Sequence, residues 1–131
     1  MRLKDSPYAC EIISENTFSW GSMFNLKNSV VVEINEGVNF GETEFTDTYN
    51  FMVKAKGNTP FYLIVNRLYA FSINPMALYI LHPLESLIIY TYYIVYKKND
   101  ELVTNFEKQF HPFKSKNFNK LAEAMEEAVI V

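Results

Sequence analysis

One cysteine, four glycines, two histidines and one tryptophan stand in 131 residues, and each scarcity removes a class of explanation. A lone thiol, Cys10, closes no internal disulfide, so a reducing cytoplasmic setting is expected and the thiol is read as a small buried side chain. His82 and His111, each followed by proline, share no helix at ligand spacing and lie far in sequence from Cys10. No metal site is therefore expected. The glycines are dispersed, which leaves no glycine-rich phosphate loop, and no cofactor is expected. Long apolar runs are missing too. The longest, Leu87 to Tyr96, is about half the ~20 residues a membrane helix needs, and its β-branched and aromatic content suits a strand. The start, MRLKDSPYACEII, is charged and lacks the apolar core of a secretory signal. Twelve Lys and Arg against fifteen Asp and Glu give a net charge of −3, which argues against a general nucleic-acid binder.

What the chain does have is apolar and aromatic mass, with nine Tyr and eleven Phe. Its length is expected to form one domain over 1–131, with 1–7 disordered, able to fold without metal or disulfide. The stretch FYLIVNRLYAFSINPMALYIL, Phe61 to Leu81, organises the rest. Phe61 to Val65 are five apolar residues in a row, the pattern of a strand covered on both faces. Asn74-Pro75 then opens a helix, asparagine capping it and proline suiting its first position. His82-Pro83 is expected to stop that helix.

Before this stretch, YACEIIS, TFSWGSMFNL and SVVVEIN read as three strands of an antiparallel meander, with turns at Glu15-Asn16 and Lys27-Asn28. From Gly41 to Lys56 the period becomes helical, Phe45, Tyr49, Met52 and Val53 recurring with acids early and lysines late. After it come a strand over Leu87 to Tyr96 and a helix over Glu101 to Phe110 with Leu102, Phe106 and Phe110 at steps of four. A short lysine-bearing edge strand over Phe113 to Phe118 and a closing helix from Lys120 to about Ile130 follow. The order β-β-β-α-β-α-β-α-β-α is that of an α/β domain with a mixed sheet and helices packed on its faces.

This order, with the stretch NRLYAFSINP and the close FNKLAEAMEEAV, resembles the STAS domains of anti-sigma-factor antagonists. It is similar above all to uncharacterised STAS-like proteins, described beside the CRAL-TRIO lipid-binding fold, of a kind seen among hypothetical proteins of Bacteroidetes type. The resemblance implies a STAS-like fold and a regulatory, protein-binding role. In those antagonists a serine at the start of the helix after the central strand is phosphorylated, which breaks partner binding. Asn74 stands there in this chain, and Asn66 stands where that family usually has aspartate. The phosphoserine switch does not carry over; Ser72, two residues earlier, would serve only in a shifted register.

Asn66, Arg67, Ser72 and Asn74 form a polar cluster at the carboxyl end of a central strand, where open α/β sheets bind ligands. A guanidinium there can hold an anion beside a helix N-terminus. In the structural alternative, Asn74 caps, Ser72 bonds local backbone and Arg67 pairs with a surface acid. The two differ at Arg67→Ala, which abolishes anion binding at unchanged melting temperature in the first and lowers stability in the second. Tyr69, Phe71 and Met76 are the expected interaction face for a protein partner or for self-association. The expected function is a non-enzymatic regulatory or protein-interaction module. A carrier or sensor of a small apolar, lipid-like or anionic ligand is the alternative, and requires a pocket of about 300 Å3 or more lined by Phe, Tyr and Met. Carboxylate pairs such as Glu126-Glu127 lie on a solvated helix face and give catalysis no support.

Overall fold

Alternate residues of the FYLIV run go to opposite sides: Phe61 and Leu63 enter one buried cluster, Tyr62 and Ile64 another. That is the behaviour of a strand buried on both faces, which is why its sequence is continuously apolar rather than alternating. The computed structural model describes residues 1–110 and 113–130. In it the strands β1 (Ser14–Phe18), β2 (Gly21–Asn25), β3 (Ser29–Ile34), β5 (Phe61–Arg67), β7 (Ile88–Val95) and β8 (Ser115–Phe118) form one sheet in the order β1-β2-β3-β5-β7-β8. β2 pairs antiparallel with both β1 and β3, and every later pairing in this sheet is parallel. The sheet is thus mixed, as expected, with a meander at one end.

Helix α1 (Glu42–Lys56) and a 3-10 helix over Pro75–Leu84 cover one face, where Val30, Val32, Ile34, Phe45, Met52 and Leu78 meet. Of the expected α1 stripe, Val53 is instead exposed. The 3-10 helix runs through Pro83 to Leu84 rather than stopping before it. The other face is covered by two short 3-10 helices, Leu3–Asp5 and Pro7–Glu11, and by α3 (Leu121–Glu127), around Phe24, Val31, Tyr92 and Phe118. A second, two-stranded sheet pairs β4 (Asn39–Phe40) with β6 (Ser72–Ile73) in parallel, joining the segment before α1 to the segment before the Pro75–Leu84 helix.

Three local expectations fail, each for a physical reason. Tyr8 to Ser14 is no strand: Pro7 cannot donate to a ladder, and the Ser6 hydroxyl caps a 3-10 helix by accepting the Tyr8 N–H at 3.2 Å. TFSWGSMFNL is a hairpin rather than one strand, turning at Ser19-Trp20 instead of Glu15-Asn16, with Phe18 opposite Gly21. Gly21 has φ +155°, and a Cβ there would lie 2.1 Å from the Glu33 carbonyl oxygen, so only glycine fits. Residues 1–7, expected to be disordered, are docked: Leu3 is fully buried and its N–H donates to Glu33 Oε2 at 2.8 Å.

Helix α2 (Lys98–Glu107) carries a fourth surprise. Leu102, Phe106 and Phe110 face solvent, while Thr104 and Glu107 are buried. A buried cation on β5, described below, turns the helix this way by claiming Glu107. Cys10, read as buried, is exposed. His111 lies outside the described residues.

Candidate functional site

Asn66 and Arg67 are consecutive on β5, so their side chains point to opposite faces of the sheet. The polar cluster read from the sequence is thereby split. Both residues are almost fully buried, at 1% exposure each, so each needs partners inside the protein.

Asn66 finds them toward the N-terminal segment. Its Nδ2 donates to Glu33 Oε2 and to the Met1 carbonyl, both at 2.8 Å, and its Oδ1 accepts from the Tyr96 hydroxyl at 2.7 Å. Glu33 is buried on β3 and also receives the Leu3 N–H. Burial, then the Glu33 carboxylate, push the Tyr96 phenol up to about 12, so it remains a donor at neutral pH. The network pins the first residues to the ends of β3, β5 and β7.

Arg67 turns to the other face. Its Nη1 lies 2.7 Å from Glu107 Oε1, and its guanidinium sits 4.2 Å from the centre of the Phe71 ring. Burial pushes the Glu107 carboxyl up, against the pull of the guanidinium in the other direction. The Tyr93 phenol beside them is pushed up as well, by burial first and then by Glu107. Arg67 therefore pairs with a buried acid rather than the surface acid expected, and its charge is already matched.

At the surface, Asn74 does what its sequence context implies: its Oδ1 accepts the Met76 N–H at 3.1 Å and caps the Pro75–Leu84 helix. Ser72 is exposed, its hydroxyl donating to Asn39 Oδ1 at 3.1 Å. Of the expected interaction face, Tyr69 and Met76 are exposed at 43% and 76%, whereas Phe71 is buried under Arg67. Tyr79, not singled out in the sequence, joins them at 55% exposure, one 3-10 turn beyond Met76 on the same stripe.

The core offers little room. The apolar cavity among Val32, Phe45, Leu63, Leu78 and Phe113 holds about 60 Å3, the share of about two liquid waters and far below what a carrier of apolar molecules requires. A larger depression, about 480 Å3, lies instead between β1 and α1, and its lining includes Asn16, Asn25, Asn50 and the charged Glu15, Asp47 and Lys54. Among the described residues no three His, Cys, Asp or Glu side chains are grouped to hold a metal, and no helix is long and apolar enough to cross a membrane.

The partners that lock the predicted cluster, Glu33, Tyr96 and Glu107, were invisible in sequence except for one sign. A carboxylate inside the run VVVEI is where a buried acid is to be looked for.

No protein-family model matches the chain, and no curated protein matches its sequence. Among solved structures it is similar to an uncharacterized protein of the DUF3478 family from Shewanella loihica, described as having a SpoIIAA-like fold. The TM-score is 0.54 over 88% of this chain and 91% of that one, at 11% identity. The mixed sheet fed by an N-terminal meander, with helices on both of its faces, thus has a SpoIIAA-like fold.

Proposed function

We propose that this protein is a single-domain, non-enzymatic interaction module of the STAS type, working in the cytoplasm, whose partner-binding face surrounds the start of the Pro75–Leu84 helix and operates without a phosphoserine switch. The observation that carries this reading is the exposure of Tyr69, Met76 and Tyr79 around Asn74. Large side chains with apolar bodies and, in tyrosine, a polar tip are the residues that supply binding energy at interfaces. Asn74, in the position of the antagonists' serine, offers no hydroxyl and is committed to capping. The groups that would hold an anion at this end of the sheet are engaged internally, Arg67 by Glu107 and Asn66 by Glu33.

The test is site-specific photo-crosslinking in the source cells. A benzophenone side chain at position 76 is expected to give a discrete protein adduct that disappears in Tyr69→Ser/Tyr79→Ser. The same label at exposed Glu123, on α3, serves as control. Equal adducts at both positions, or none at position 76, would remove this face from consideration.

A further inference from the structure

Strand β1 ends the sheet, and among the described residues its one strand neighbour is β2. In an antiparallel pair alternate residues turn their N–H and C=O groups away from the partner, so β1 presents a row of unmatched backbone groups along its outer side. Between β1 and α1 lies the 480 Å3 groove, with Ser14, Glu15, Asn16 and Phe18 of β1 on one wall and Asp47, Asn50 and Lys54 of α1 on the other; the Glu15 carboxylate is matched by Lys4 at 2.7 Å. Asn25 lines it too. Its side chain is 8% exposed, and among the described residues its Oδ1 has no hydrogen-bond partner.

The charges give the groove a direction. Asp47 lies at its hairpin end, where it accepts the Trp20 Nε1–H at 3.1 Å. Lys54 lies two helical turns further, about 10 Å along α1. That is the end where the neighbouring Lys56 folds its ammonium onto the Leu26 and Lys27 carbonyls, next to Asn25. A guest carrying positive charge ahead of negative charge therefore runs from the Phe18 end to the Ser14 end, antiparallel to β1.

We infer that the outer edge of β1 binds an extended peptide as an added strand antiparallel to β1, a basic side chain meeting Asp47 and an acidic one further along meeting Lys54. A backbone row calls for another backbone, which favours a peptide over other polar ligands. A second copy of this chain fits less well, because Ser-Glu-Asn-Thr-Phe of its own β1 brings no cation to Asp47. The site is separate from the face around Asn74 and does not depend on it.

The experiment titrates the 15N-labelled protein with the blocked peptide Thr-Lys-Val-Thr-Val-Glu-Thr and with its charge-exchanged form Thr-Glu-Val-Thr-Val-Lys-Thr. Saturable amide shifts confined to 14–18, 25 and 47–55 are expected for the first, with the second binding at least about tenfold more weakly. Lys54→Glu, a change at an exposed position, is expected to erase that preference while leaving the spectrum folded. The inference is overturned if neither peptide gives a saturable shift by about 5 mM, if both bind equally, or if the shifts fall elsewhere. It is also overturned if the β1 amides respond to protein concentration alone, which would mark the edge as a contact between copies.

Discussion

Replacing Arg67 with alanine is expected to remove about 3–5 kcal/mol of unfolding free energy, since truncating one partner of a buried ion pair strands the other charge without compensation. The stranded charge is Glu107, 6% exposed, and the same substitution strips the Phe71 ring of the guanidinium packed on it. Domains of this size are stable by about 5–15 kcal/mol, so the loss takes a large share of the total. Urea unfolding followed by far-UV circular dichroism measures it. The double replacement Arg67→Met/Glu107→Leu removes both charges together and should recover most of the loss, because well-packed apolar side chains replace buried ion pairs with little or no penalty. A single variant melting with the wild type would show that the pair is not holding α2 against the sheet. It would return Arg67 to the anion-binding role that its place at the strand end implies.

The second large effect is expected at Asn66→Asp, nominally a minimal change. The amide donates to Glu33 Oε2 at 2.8 Å; a carboxylate in its place donates nothing and sets two negative groups in contact inside the protein. A loss of about 3 kcal/mol or more at pH 7 follows from the missing donors and the like-charge contact. The pH dependence has a definite sign. One carboxyl of the new pair holds a proton more tightly folded than unfolded, so its folded pKa is raised. Stability is retained below the ordinary carboxylate range and lost as pH rises through the raised value. Unfolding curves at pH 4.5 and 7.5 should show the variant recovering toward wild type at the lower pH; a deficit equal at both would contradict the like-charge account. The contact with Glu33 is thus a sufficient reason for an amide rather than a carboxylate at this position.

These two residues also show where sequence reading stops. Phe61 to Val65 and Asn74-Pro75 were legible because their signals are local: an apolar run and a cap followed by proline report on their own backbone. Asn66 and Arg67 read as one cluster in the sequence but are parted in the structure, since strand alternation sends neighbours to opposite faces and their partners lie 33 and 40 residues away. The orientation of α2 inverts a sound periodic pattern for the same reason. One non-local ion pair outweighs the helix's own apolar stripe. The first hairpin was missed because its turn signal lies in Gly21, whose need for a bare α-carbon arises from the Glu33 carbonyl on the paired strand β3 and not from the turn residues themselves.

The small pairing of β4 with β6 gives two distant entrances one hinge. The Asn74 N–H donates to the Phe40 carbonyl at 2.8 Å, the Ser72 N–H to Val38 at 3.0 Å and the Gly37 N–H to Ala70 at 2.8 Å. Gly41, at the mouth of α1, is the very next residue after Phe40. The two loops are cross-tied, and neither swings without stretching the other's bonds. Hydrogen exchange at Gly37, Ser72 and Asn74 should therefore proceed at one shared opening rate. Independent rates would cut the tie. A partner that levers Asn74 outward pulls the root of α1 with it, and α1 is one wall of the groove at the far edge of the sheet.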